Sequence, residues 1–74
     1  METAFVLLNC EIDSEGDTLQ LMKAIPEVKE AHRIYGVYDI ILRVEADTRE
    51  DLMELVKKIK QMEKVHSTIT MLVV

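Results

Sequence analysis

Few residues in this chain could carry chemistry, and one of them is oddly placed. Asp39 ends the run Tyr35-Gly36-Val37-Tyr38-Asp39 and sits directly before the apolar stretch Ile40-Ile41-Leu42. A carboxylate at the mouth of a hydrophobic strand either caps and solvates a turn or meets a cationic group. Gly36, one of only two glycines, falls where a tight turn would require positive φ, which glycine adopts without steric cost. His32 and His66 are the only histidines. They fall in different predicted strands with no third ligand in view, so no metal site is expected. The carboxylate pairs Asp13 with Glu15 and Glu50 with Asp51 belong to helix starts, where the helix dipole favours them as solvated caps. Cys10 is the only cysteine, so no disulfide or thiolate metal site can form within one chain, and the thiol reads as a small core hydrophobe. The five methionines read as filler in a core or an interface. GxGxxG, P-loop, CxxC and Ser-His-Asp patterns are all missing, and no cofactor is expected.

Charge and size narrow the classes further. The chain has 74 residues and a formal net charge of −5. A nucleic-acid surface needs a basic patch to neutralise phosphates, so direct DNA binding is not expected. The beginning of the chain, Met1-Glu2-Thr3-Ala4, has no basic n-region, and the apolar runs are far too short to cross a bilayer; a cytoplasmic protein without membrane contact is expected. One domain spanning residues 1–74 is all this length allows. A chain this short buries only about 60% of its unfolded surface, which makes a lone monomer marginal and oligomerisation a common remedy.

The elements that must position these groups can be read in order. Ala4 to Cys10 is a short apolar run suited to a buried strand. Asp13-Ser14-Glu15-Gly16-Asp17 carries turn and helix-start chemistry, with Ser14 and Asp17 spaced as a capping box. Leu19, Met22 and Ile25 line a helical stripe, which Pro26 stops near Ala24. Val28 to Tyr35 reads as a second strand, its charges Lys29, Glu30, His32 and Arg33 protecting an edge. The Gly36 turn then leads into a third strand, Val37 to Glu45. Thr48 is an N-cap followed by Asp51, and Leu52, Leu55, Val56, Ile59 and Met62 form a core-facing stripe. Val65 to Val74 is the fourth strand. The order βαββαβ implies an α+β, ferredoxin-like split βαβ sandwich: a four-stranded antiparallel sheet, order 4-1-3-2, with both helices on one face.

The other face of such a sheet should be polar if the monomer stands alone. Here Phe5 and Leu7 on the first strand, Ile41 on the third, and Ile69, Met71 and Val73 on the fourth are all apolar on the side away from the helices. A second covering layer is required, and another copy of the chain supplies it. The expectation is a homodimer with sheets stacked face to face and helices outside.

The pattern Ile25-Pro26-Glu27-Val28, then Tyr35-Gly36-Val37-Tyr38-Asp39-Ile40-Ile41-Leu42-Arg43-Val44, then Leu52 with Val56 and Ile59, then Val65 and Thr68-Ile69-Thr70 resembles the RAM domain, the effector domain of the Lrp/AsnC (feast/famine) regulators. The Gly-x-Tyr-Asp turn ahead of Thr-x-Thr is the specific part. The resemblance implies an amino acid effector, sheet-to-sheet dimers that can assemble further, and no enzymatic activity. Family regulators carry a helix-turn-helix domain ahead of this one, whereas here Met1-Glu2-Thr3 runs straight into the first strand. A stand-alone RAM module is therefore expected, tuning full-length Lrp/AsnC-type regulators through mixed assembly. An α-amino acid needs an acceptor for its ammonium and donors for its carboxylate. Asp39 and the backbone of Gly36, Val37 and Tyr38 offer these on the turn, with Tyr38 closing the pocket; Thr68 and Thr70 offer hydroxyls from the fourth strand. Strands three and four are not neighbours, so a second subunit would bring the two sets together, and an apolar wall would favour aliphatic or thioether side chains. The other reading of the topology is a small dimeric α+β barrel enzyme, a monooxygenase or isomerase that recruits His66. It requires an enclosed pocket between helices and sheet.

Overall fold

The structure, a computed structural model, describes residues 1–74. Strand β1 (Glu2–Cys10) is followed by helix α1 (Glu15–Lys23), β2 (Val28–Arg33), β3 (Ile40–Ala46), α2 (Arg49–Lys60) and β4 (Val65–Leu72). The sheet is antiparallel with order β2-β3-β1-β4, the expected order read from the other edge. Helix α1 packs on β2 and β3, and α2 lies across β1, β3 and β4.

Alternation decides which face is buried, because successive side chains on a strand point to opposite sides. Ala4, Val6, Leu8 and Cys10 of β1 and Ile40, Leu42, Val44 and Ala46 of β3 face the helices and are buried. Leu52, Leu55, Val56 and Ile59 of α2 close over them, with Met62 packed at the edge. The stripe of α1 is thinner. Met22 and Thr18 are buried, while Leu19 and Ile25 are only partly so.

The two helix starts differ. Thr48 is extended and its side chain accepts from the Asp51 N–H at 3.1 Å, as its spacing predicts. Ser14 occupies the N-cap of α1 but forms no capping box with Asp17: its backbone, at φ −104° and ψ 4°, is not extended, and no side-chain cap bond forms. The hydroxyl donates instead to the Glu11 carbonyl at 2.6 Å, closing the turn in which Asp13 takes φ 66°.

The hairpin also departs from the expected tight turn at Gly36. The β2–β3 ladder ends at Arg33 opposite Ile40, leaving a six-residue loop, 34–39, rather than strands that meet at the glycine. Asp39, at the entry to the central strand β3, is bonded on both sides. Ile34 N–H still reaches the Asp39 carbonyl at 2.9 Å, but Asp39 N–H turns to the Leu8 carbonyl at 3.0 Å. Gly36 keeps its positive φ, at 134°, with open space around it.

Candidate functional site

The 34–39 loop overhangs a solvent-open cleft of about 460 Å³ lined by Glu15, Arg33, Ile34, Tyr35, Gly36 and Asp39. Asp39 is held at its rim. The β1–β3 register runs out at Leu8 opposite Ile40, so the next inward amide of β1, that of Cys10, has no β3 carbonyl facing it. Asp39 Oδ2 accepts from that N–H at 3.0 Å, with Cys10 Sγ 3.9 Å away. Asp39 therefore extends the ladder with its side chain, and Oδ1 has no hydrogen bond within the chain. Tyr38 is half-buried, whereas Val37 and Tyr35 are exposed. Of the four expected loop residues, Gly36 and Asp39 line the cleft; Val37 and Tyr38 share the loop without lining it.

Four cleft residues, Glu15, Arg33, Ile34 and Tyr35, were not among the site residues that the sequence singled out, and two of them, Arg33 and Glu15, are charged. Both had ordinary explanations, as edge-strand charge and helix-start acid. Only the packing of α1 against β2 brings them to one place. Arg33 takes part in none of the chain's four ion pairs. The expected apolar wall amounts to Ile34 and Tyr35 in a cleft that also holds three charged side chains.

Thr68 and Thr70 lie elsewhere. Their β1 partners are Leu8 and Val6, which places both on the helix-facing side of β4. Their Oγ1 atoms are buried without a hydrogen-bond partner. Strand β1 separates them from β3, so within one chain they do not join Asp39. A second cleft of about 460 Å³ lies at the far end of the sheet, where Glu27, Lys29, Asp47, Asp51 and Lys58 surround it with charges of both signs. Neither cleft is the enclosed pocket between helices and sheet that the enzyme reading requires. That space is filled by a cluster of 15 buried apolar residues.

The open sheet face has two zones. Register places Glu30, Arg43, Phe5 and Met71 in one row and His32, Ile41, Leu7 and Ile69 in the next. Toward β4 the face is apolar: Phe5, Leu7 and Ile41 are half-buried, while Ile69, Met71 and Val73 are 45%, 50% and 47% exposed. Toward β2 it is charged. Arg43 Nε donates to Glu30 Oε2 at 2.6 Å, its Nη1 donates to Glu45, and His32 Nε2 lies 3.3 Å from Glu30 Oε1. The Arg43 hydrogen bond, and then that of His32, lowers the Glu30 carboxyl below its usual range. Glu30 in turn raises the Arg43 guanidinium further above its usual range.

Residues 3–74 match the family model of the Lrp/AsnC ligand binding domain. The chain belongs to that family. Its solved relatives include FFRP-DM1, 40% identical with a TM-score of 0.98 and full coverage of both chains. A hypothetical protein from Pyrococcus horikoshii, PHS023, is also 40% identical, with a TM-score of 0.95 over 100% of this chain and 90% of its own. A transcriptional regulator from Neisseria meningitidis, solved as an L-Met complex, shares the fold at 17% identity and a TM-score of 0.87, over 99% of this chain and 49% of the regulator. No curated protein sequence matches significantly. The Lrp/AsnC ligand binding domain match spans the whole βαββαβ unit. No helix of the chain is long and apolar enough to cross a membrane.

Proposed function

We propose that this Lrp/AsnC domain is an amino-acid-binding module that works as an oligomer, with the effector held at the Gly36–Asp39 loop. The observation that carries this reading is the cleft of about 460 Å³ beneath that loop, within the size range of small-molecule sites, where a carboxylate oxygen of Asp39 is left free for an ammonium. The L-Met complex of the Neisseria regulator supports an amino acid as the ligand class. Openness of the cleft supports completion by a second subunit. The apolar zone of the sheet face supports a sheet-to-sheet dimer through Phe5, Leu7, Ile41, Ile69, Met71 and Val73. The same face would let the chain assemble with full-length regulators of its family.

A thermal-shift series with the twenty amino acids tests the ligand class. A ligand that binds only the folded state raises the midpoint by mass action. At least one amino acid should do so in a concentration-dependent way; a flat response to all twenty at millimolar concentration would remove the reading. Net charge −5 supports the further expectation that the chain alone does not bind DNA. A gel shift at low salt, where phosphate contacts are strongest, should show no retained duplex.

A further inference from the structure

We infer that the cleft selects a basic amino acid, with Arg33 holding the α-carboxylate, Asp39 the α-ammonium and Glu15 the cationic end of the side chain. The inference rests on the reading of the Gly36–Asp39 loop as the effector site and adds the ligand's chemical class and two residues to it. Charge complementarity is the argument. The cleft presents two carboxylates and one guanidinium. None of the three side chains is committed to an ion pair. A neutral amino acid, as a zwitterion, satisfies Arg33 and one carboxylate and leaves the other facing apolar ligand surface. A basic amino acid satisfies all three. An acidic one brings a second carboxylate toward Glu15 and is repelled.

Each group suits its part. The guanidinium fork of Arg33 matches a carboxylate in a bidentate way that a point charge does not. Asp39 is already oriented, because Oδ2 is tied to the Cys10 N–H and only Oδ1 remains to bond. Glu15, the first residue of α1, adds the second carboxylate to the cleft lining. Ile34 and Tyr35 supply apolar surface along which the methylenes of a basic side chain can lie while its charge reaches the polar wall.

Calorimetric titration of the intact protein with L-lysine, L-norleucine and L-glutamate tests this, since norleucine keeps the methylene chain and lacks the terminal ammonium. Lysine should bind about tenfold or more tightly than norleucine, the scale of one charge-assisted hydrogen bond. Glutamate should bind weakest. Glu15→Gln should abolish the preference for lysine over norleucine, because it removes both the partner of the terminal ammonium and the unpaired charge facing norleucine, whereas Arg33→Gln should weaken both ligands. Norleucine binding as tightly as lysine to the wild type would overturn the inference without need of any variant, and would leave the loop intact as an amino acid site. Binding of none of the three, nor of any other amino acid, would overturn the effector reading together with it.

Discussion

Asp39 shows how one side chain can serve the fold and remain available to a ligand. Its Oδ2 closes the end of β1 on the Cys10 N–H, a task an asparagine oxygen can also perform. Asp39→Asn should therefore keep the fold and the assembly while weakening amino acid binding by about 1.5–3 kcal/mol, the scale of a hydrogen bond to a charged group. Asp39→Ala should in addition lower stability by about 1–3 kcal/mol, because a partly buried amide loses its acceptor. Calorimetry and urea unfolding of both variants separate the two roles; affinity unchanged in the Asn variant would assign Asp39 to the fold alone. Glu30 makes a different prediction. Its carboxyl is lowered in the folded chain by Arg43 and then by His32. A lowered folded value stabilises the native state above the ordinary carboxylate pKa, and that contribution disappears as pH falls through the lowered value. Stability should thus decrease on acidification, and Glu30→Gln should reduce that decrease. The thermal midpoint measured across the acid range checks it, with an unaltered acid limb as the contrary result.

At the level of elements, the helices show two ways of starting from similar residues. Thr48 satisfies the Asp51 N–H, and Thr48→Ala should cost about 1 kcal/mol in denaturant unfolding, as loss of an N-cap bond does. Ser14 makes its bond backwards, to Glu11, so its removal should loosen the β1–α1 turn rather than the first N–H groups of α1. Hydrogen exchange can tell these apart, since protection lost within the first turn of α1 in Ser14→Ala would contradict the assignment. Spacing alone cannot distinguish the two cases, because a capping sequence specifies a possible bond and the entry angle of the chain decides whether it forms. Entry to α2 is extended; entry to α1 follows a turn containing the left-handed Asp13.

For the whole molecule, the proposed assembly turns on the sheet's open face. An isologous dimer brings the same patch of both copies together. In the proposed sheet-to-sheet dimer the apolar zone around Phe5, Leu7, Ile69 and Met71 would meet itself, and the Glu30–Arg43–Glu45 network would fall toward the rim. Met71→Asp or Ile41→Asp should place a charge in a dry interface and shift the protein to monomer, at a cost of several kcal/mol of association, with the core stripe of α2 untouched. Light scattering at micromolar concentration reads the result; a well-folded wild-type monomer there would remove the sheet-to-sheet dimer.

Periodicity by itself determined most of the architecture. The alternation of Ala4, Val6 and Leu8, the stripe from Leu52 to Ile59 and the stop at Pro26 are local patterns, and local patterns survive in a single sequence. They were enough for element order, sheet order, the buried face and the apolar residues left on the other side. The Gly-x-Tyr-Asp and Thr-x-Thr motifs were enough for the family. What needed the folded chain were matters of which distant groups meet. Whether Asp39 would bond the turn or β1 depended on a ladder that ends at Leu8 and leaves the Cys10 amide facing it. The 34–39 loop likewise emerged only in the fold, where Asp39 bonds Ile34 through its carbonyl and Leu8 through its N–H. Arg33 and Glu15 share a cleft only because α1 packs on β2, eighteen residues apart in sequence by number and with nothing local to announce it. Long-range packing is set by the sum of many weak contacts, and no single short stretch of the chain encodes that sum.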